Sequence, residues 1–284
     1  MSKPAMIDAH QHFWQIARGD YDWMTDEVAA IRHDILPRDL EPHLRQHKID
    51  GTVLVQAAGA VAETEFMVSL SRQAHFIKGV VGWVDLEDAN VAATLDRLTK
   101  NTVLKGIRPM LQDIEDTDWI LRPHVMEALK QVADRGLRLD ALVVPRHLDV
   151  LAAMAECLPN LRIVIDHCAK PVIAGGVDPG NAWRDGMERL AALPNTYCKI
   201  SGLANEAGPG WNADWLSPVV NHVLSTFGAS RLMWGSDWPV LNLAGDYTRW
   251  RDVSTQLLGH LPADAQAAIY GGTATGFYGL DTTE

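Results

Sequence analysis

The sequence predicts a closed α/β fold, a (β/α)8 TIM barrel in a single domain spanning 1–284. Three observations predict it. Apolar, β-branched runs alternate with amphipathic helical stretches eight times, no segment repeats another, and several runs end in histidine or aspartate, as barrel strands do where they hand over to catalytic loops. A length of 284 residues fits one such barrel with its loops. The expected strands are 6–12, 51–58, 77–86, 103–110, 138–144, 162–168, 196–203 and 231–239. Between them lie helical patterns such as Pro123 to Arg135, with Gly136 as its C-terminal stop, and Leu148 to Cys157. A doubly wound open sheet is the alternative, but it calls for a glycine-rich phosphate turn after the first strand, where this chain has histidines.

Composition narrows the partners. A formal charge of −11 argues against nucleic acid and anionic membrane surfaces, which require a basic patch. No apolar segment is long enough to span a bilayer and no secretory leader pattern is present, so a cytoplasmic protein is expected. The three cysteines, Cys157, Cys168 and Cys198, are odd in number and suit a reducing compartment better than a disulfide framework. The sequence leaves a homo-oligomer open.

The chemistry concentrates at strand ends. His10 and His12 close strand one, His167 closes strand six and Asp237 closes strand eight. Alternation along a strand puts His10 and His12 on one face together with Asp8, so both imidazoles can converge on one metal ion or one substrate oxygen. Asp166 is expected to point the other way, as a structural acceptor. The connections 13–37, 169–182 and 204–214 are longer than a barrel needs and are expected to form the walls of a site. Trp14, Tyr21, Trp23, Trp183 and Trp211 lie in or beside them, and Trp14 is the candidate for stacking on a sugar ring.

Ile-Asp-Ala-His-Gln-His-Phe-Trp at 7–14, Lys-Gly-Ile-Arg-Pro at 105–109, Asp-His-Cys-Ala-Lys-Pro at 166–171, Cys-Lys-Ile-Ser-Gly-Leu at 198–203 and Trp-Gly-Ser-Asp-Trp-Pro at 234–239 carry a resemblance. With Tyr-Asp-Trp at 21–23, Gly-Thr-Val-Leu-Val-Gln-Ala at 51–57 and Gly-Val-Val-Gly-Trp-Val-Asp-Leu at 79–86, they make the chain similar to the amidohydrolase superfamily. The similarity is to its amidohydrolase-2 branch, which contains sugar lactonases of the L-fuconolactonase and L-rhamnonolactonase type. The resemblance implies a hydrolase that opens a sugar lactone, a small-molecule substrate, with His10, His12, His167 and Asp237 as catalytic residues and as ligands of a metal.

Two-metal members of the superfamily carry a carboxylated lysine at the end of strand four, where this chain has Arg108. A guanidinium cannot bridge two ions, so one divalent ion at most is expected, zinc from the donor set, and not strictly required. Arg108 then becomes a candidate for binding the substrate carbonyl or product carboxylate, with Gln56, Arg146 and His147 as further substrate-binding candidates and Lys170 and Lys199 as weaker ones. The expected mechanism is direct attack of water, with Asp237 as general base and the imidazoles polarising the carbonyl. No Gly-x-Ser-x-Gly elbow is present, and Ser236 is expected to be structural. Three readings stay open beside this one: a non-sugar lactone hydrolase, a metal-dependent decarboxylase of the same branch, and a non-catalytic sugar-binding barrel.

Overall fold

A computed structural model describes residues 5–282. Its eight parallel strands lie in chain order in one sheet: β1 (Ile7–Gln11), β2 (Gly51–Val55), β3 (Ile77–Gly82), β4 (Leu104–Ile107), β5 (Arg138–Ala141), β6 (Ile163–Ile165), β7 (Thr196–Ile200) and β8 (Leu232–Trp234). Single helices make the first six crossovers: α1 (Pro37–His47), α2 (Val61–Ser71), α3 (Val91–Leu98), α4 (Pro123–Asp134), α5 (Leu148–Cys157) and α6 (Asn181–Ala191). The seventh uses α7 (Leu203–Ala207) and α8 (Ala213–Phe227), and α9 (Tyr247–Leu258), α10 (Ala263–Ala267) and α11 (Thr273–Tyr278) follow β8. The ring closes beyond the end of β8, where His12 N–H donates to Trp238 O at 2.8 Å and Asp237 N–H to His10 O at 2.8 Å. The expected (β/α)8 barrel is thus the observed fold.

The apolar runs read as continuous because both faces of each strand are buried. Val53, Val55, Val81, Val164 and Met233 fill the barrel's lower interior together with Phe277 and Tyr278 of α11, which forms its floor. Their neighbours Leu54, Val80, Ile163, Ile165, Leu232 and Trp234 belong to the outer layer between sheet and helices. Gly136, with φ +69, follows α4 as the sequence indicates.

The observed strands end one to five residues before the expected ones, because apolar sequence continues past the ladder into buried strand-to-loop turns. Two of these irregularities correct the sequence reading. In β1, Asp8 pairs with Thr52 and Gln11 with Leu54, so one extra residue is inserted and the inward-outward phase inverts, as at a β-bulge. His10 and His12 therefore stay together, while Asp8 is directed elsewhere: it accepts from Ser236 N–H at 2.8 Å and from the Tyr247 hydroxyl on α9 at 3.0 Å. Asp166 is the second correction. The chain leaves β6 at Ile165, and His167, Cys168, Ala169 and Lys170 all take positive φ between 48° and 60°. Strand alternation no longer applies there, and Asp166 and His167 both reach the interior.

Four successive non-glycine residues in the left-handed region are strained, and the surrounding structure has to hold them. The Trp183 indole, fully buried on α6, donates to Cys168 O at 2.9 Å and anchors the run. Trp183→Phe leaves that carbonyl unpaired and is expected to cost about 1–3 kcal/mol in denaturant unfolding. Unchanged stability would show that the turn is held by other contacts.

Candidate active site

The bulge in β1, the left-handed turn after β6 and the segment after β8 bring four side chains into one cluster. His12 Nε2 lies 3.3 Å from Asp237 Oδ1, His10 Nε2 lies 3.6 Å from it and His167 Nε2 lies 3.8 Å from it. His10 Nε2 and His12 Nε2 are 3.2 Å apart. His12 Nδ1 donates to Val55 O at 2.8 Å, and His167 Nδ1 lies 2.9 Å from Ser201 Oγ. Asp237 itself has φ +58, which an aspartate tolerates better than a bulky residue would. Ser236 supports the turn, its hydroxyl accepting from Trp238 N–H at 3.0 Å. Two overlapping trios, His10 with His12 and Asp237 and His10 with Asp166 and His167, present donor atoms within 4.8 Å of one another, close enough to hold a metal ion.

Behind the imidazoles lies a layer of buried charge. Lys199 Nζ, fully buried on β7, sits 2.5 Å from Asp140 Oδ2, 3.0 Å from Asp166 Oδ1 and 3.1 Å from His10 Nδ1. Arg108 pairs with Asp166 Oδ2 at 3.3 Å and donates to Gln56 O. Burial acts against charge on Asp166, but Lys199, His10 and Arg108 outweigh it and hold the carboxyl well below its usual range. Burial likewise disfavours charge on Asp237, yet the rings of His167, His12 and His10 keep it ionised far into acid. Burial lowers His167 to about 4, and burial with the nearby Lys199 charge lowers His10 well below the usual imidazole value. At neutral pH the site holds the Asp237 carboxylate with His10 and His167 as neutral imidazoles.

A cavity of about 330 Å³ opens above this cluster, lined by His12, His167, Asp237, Arg108 and Lys170, with Trp23, Val28, Ala57, Met110, Gln112, Asp113, Leu142, Val240 and Leu243 as its walls. Of the residues expected from sequence, His12, His167, Asp237, Arg108, Lys170 and Trp23 line it, and His10 stands behind them. Trp14, Gln56, Arg146 and His147 do not line it. Trp14 is fully buried, its indole donating to Ile31 O and His33 O, so Trp23, 37% exposed, is the tryptophan on the wall. The Gln56 amide donates to Arg108 O at 2.7 Å. Arg146 ties down the loop after β4 through Ile114 O and Thr117 Oγ1, and His147 Nδ1 accepts from Val144 N–H. The loops after β1 and β6 do contribute walls, whereas 204–214 does not, and the loops after β4 and β8, which sequence reasoning passed over, do. The polar pair Gln112 and Asp113, shortly after Arg108-Pro109, was the available signal.

A family profile described as amidohydrolase matches residues 7–280. An L-fucono-1,5-lactonase from Burkholderia ambifaria is 45% identical over 279 residues, covering 97% of this chain and 96% of that protein. A second L-fucono-1,5-lactonase, from Burkholderia multivorans, is 32% identical over 96% of each chain. A solved amidohydrolase structure from Burkholderia multivorans with bound zinc superposes with a TM-score of 0.91 at 32% identity, covering 98% of this chain and all of that one.

One wall of the cavity rests on a buried carboxylate. Glu63 accepts from Ala57 N–H at 3.1 Å and Ala58 N–H at 2.8 Å, while the Trp23 indole donates to Ala57 O at 2.8 Å. Burial raises Glu63 from 4.5 to about 7. The folded protein keeps this proton to higher pH than the unfolded chain does, so the Glu63 contribution to stability is full below pH 4.5 and lost as the pH rises to about 7. Denaturant unfolding of wild type and Glu63→Gln is expected to show wild type losing stability relative to the variant across that window. A difference independent of pH contradicts the assignment.

Proposed function

The chain belongs to the amidohydrolase family, and from that premise we propose that it opens a sugar lactone, L-fucono-1,5-lactone or a related aldonolactone, to the aldonic acid by direct attack of water. The observation that carries this reading is an ionised carboxylate, Asp237, at the base of a cavity that also presents an arginine and two imidazoles.

Asp237 accepts a proton from the attacking water as its oxygen bonds to the lactone carbonyl carbon. The Arg108 guanidinium, fixed by Asp166, and the ring of His167 face the carbonyl oxygen and stabilise the charge it gains. Collapse of the tetrahedral species breaks the bond to the ring oxygen, and Asp237 returns its proton to that alkoxide. Lys170 is placed at the cavity for the carboxylate of the product. Trp23 offers a flat apolar face to the C–H side of the sugar ring, with Gln112 and Asp113 for its hydroxyls.

The donor set fits one divalent ion. His12 Nδ1 is committed to Val55 O, which leaves Nε2 bare as a ligand must be, and Asp237 Oδ1 is beside it. His10, His12 and Asp237 would hold that ion, with His167 proposed as a fourth ligand; zinc fits by its preference for imidazole and carboxylate, and it would supply Lewis-acid polarisation of the carbonyl. Arg108 at the end of β4 offers no bridge to a second ion. With Arg108 already facing the carbonyl, we take the ion as an aid rather than a strict requirement. We take the enzyme to work in the cytoplasm on a small molecule; no described helix is long and apolar enough to cross a membrane.

Asp237→Asn is expected to fold normally and to lose on the order of 10² to 10⁴ in kcat, because an amide cannot take the water proton. Near-normal turnover on the best lactone would remove Asp237 from the role of base. A substrate panel checks the sugar assignment. L-Fucono-1,5-lactone is expected to exceed γ-butyrolactone in kcat/KM by up to about 10⁴, since a substrate without hydroxyls leaves buried polar groups unpaired, and Trp23→Ala is expected to raise KM more than it lowers kcat. Equal efficiency on the two lactones contradicts the sugar reading and leaves lactone hydrolysis standing.

A further inference from the structure

Lys199 has no place in the mechanism above, yet it is a fully buried lysine directly beneath the imidazoles. Its surroundings account for its charge. Two carboxylates, Asp140 and Asp166, and two cations, Lys199 and Arg108, share the barrel interior and cancel. Asp140 is further held by the Tyr278 hydroxyl at 2.7 Å. An ammonium has three hydrogens to donate and no lone pair, and Lys199 has three acceptors within reach: Asp140 Oδ2, Asp166 Oδ1 and His10 Nδ1.

The third of these bonds has a consequence for the ring. A neutral imidazole carries one N–H, so a His10 that accepts at Nδ1 must carry its hydrogen on Nε2. His10 Nε2 faces His12 Nε2 at 3.2 Å, and His12 already donates through Nδ1 to Val55 O, so its Nε2 is bare and accepts. The polarity of the whole chain is thereby set from Lys199 through His10 to His12.

We propose that Lys199 is the positioning residue of the site: a built-in cation that fixes His10 as the Nε2–H tautomer, engages the His12 lone pair through it, and so competes with a metal ion for both histidines. An ion among His10, His12 and Asp237 needs both Nε2 lone pairs. It obtains them only if the His10 hydrogen moves to Nδ1, where it meets the Lys199 ammonium. Without that ammonium, His10 Nδ1–H turns to Asp166 Oδ1, 3.4 Å away, and the carboxylate–histidine arrangement that favours metal ligation is complete. The inference refines the proposed site, but its tests read no turnover, so it can fail while the lactonase reading stands, and the reverse.

The first test uses the wild-type protein freed of metal by chelator. Nitrogen-15 NMR of histidine-labelled protein, with His10 and His12 assigned by His10→Gln and His12→Gln, is expected to show His10 protonated on Nε2 alone and His12 on Nδ1 alone. A His10 hydrogen on Nδ1, or on both nitrogens, overturns the proposal. The second test is zinc titration by calorimetry of wild type and of Lys199→Met combined with Asp140→Asn, which removes the ammonium and its counter-charge together. The variant, if its circular dichroism and melting match wild type, is expected to bind zinc about tenfold or more tightly. Equal or weaker zinc binding in the folded variant overturns the proposal, and if the variant does not fold the tautomer measurement decides alone.

Discussion

The constraint on which the site depends is charge neutrality inside the barrel. Lys199, Arg108, Asp140 and Asp166 occupy an interior that is elsewhere packed with valine, methionine and the aromatic rings of α11, and none of the four would be tolerable there unpaired. Held together, they form a rigid polar layer between the apolar floor and the imidazoles. Each member fixes something above it: Asp166 aims the Arg108 guanidinium at the cavity, and Lys199 sets the donor and acceptor ends of His10. The ionised state of Asp237 follows from the rings that this layer orients. Arg108 apart, the members of the layer act on chemistry without touching a substrate.

Backbone irregularity does the aiming. A regular parallel strand presents every second side chain to the interior, which would give the mouth of the barrel only one polar group per strand at a given height. The inserted residue in β1 turns His10 and His12 inward together, and the left-handed run after β6 sends both Asp166 and His167 inward from adjacent positions. Gly202 shows how tight the result is. Its φ is +67, and a Cβ there would sit 2.6 Å from the His167 ring. Strain of this kind is concentrated on the loop face, while the floor below is a regular, close-packed core, the division of labour that barrels share.

Much of this was legible in the sequence because both layers of a barrel strand are apolar, so strand order and fold follow from runs and their spacing. The four groups His10, His12, His167 and Asp237 were legible for the same reason: each ends such a run. What alternation could not provide was phase. Asp8 and Asp166 were each assigned to the wrong side, since a one-residue insertion and a turn entered one residue early both invert it, and neither has a composition signature. The cavity walls were read only in part. Trp14 looks like a stacking platform in sequence, but its indole has two carbonyl partners inside the loop, and it is Trp23, nine residues on, that reaches the cavity. Arg146 and His147 follow a strand as closely as Arg108 does, yet their partners lie in neighbouring loops, which no periodicity reveals.

The central claim is that Asp237 acts on a water molecule and never bonds to the substrate. A single turnover with enzyme in excess over L-fucono-1,5-lactone in oxygen-18 water tests it most directly. Attack by water places one heavy oxygen in the product carboxylate during that first turnover and leaves the protein unlabelled. Unlabelled product with the heavy oxygen on Asp237 would reveal an acyl intermediate opened at the aspartate carbon, a result that contradicts the account.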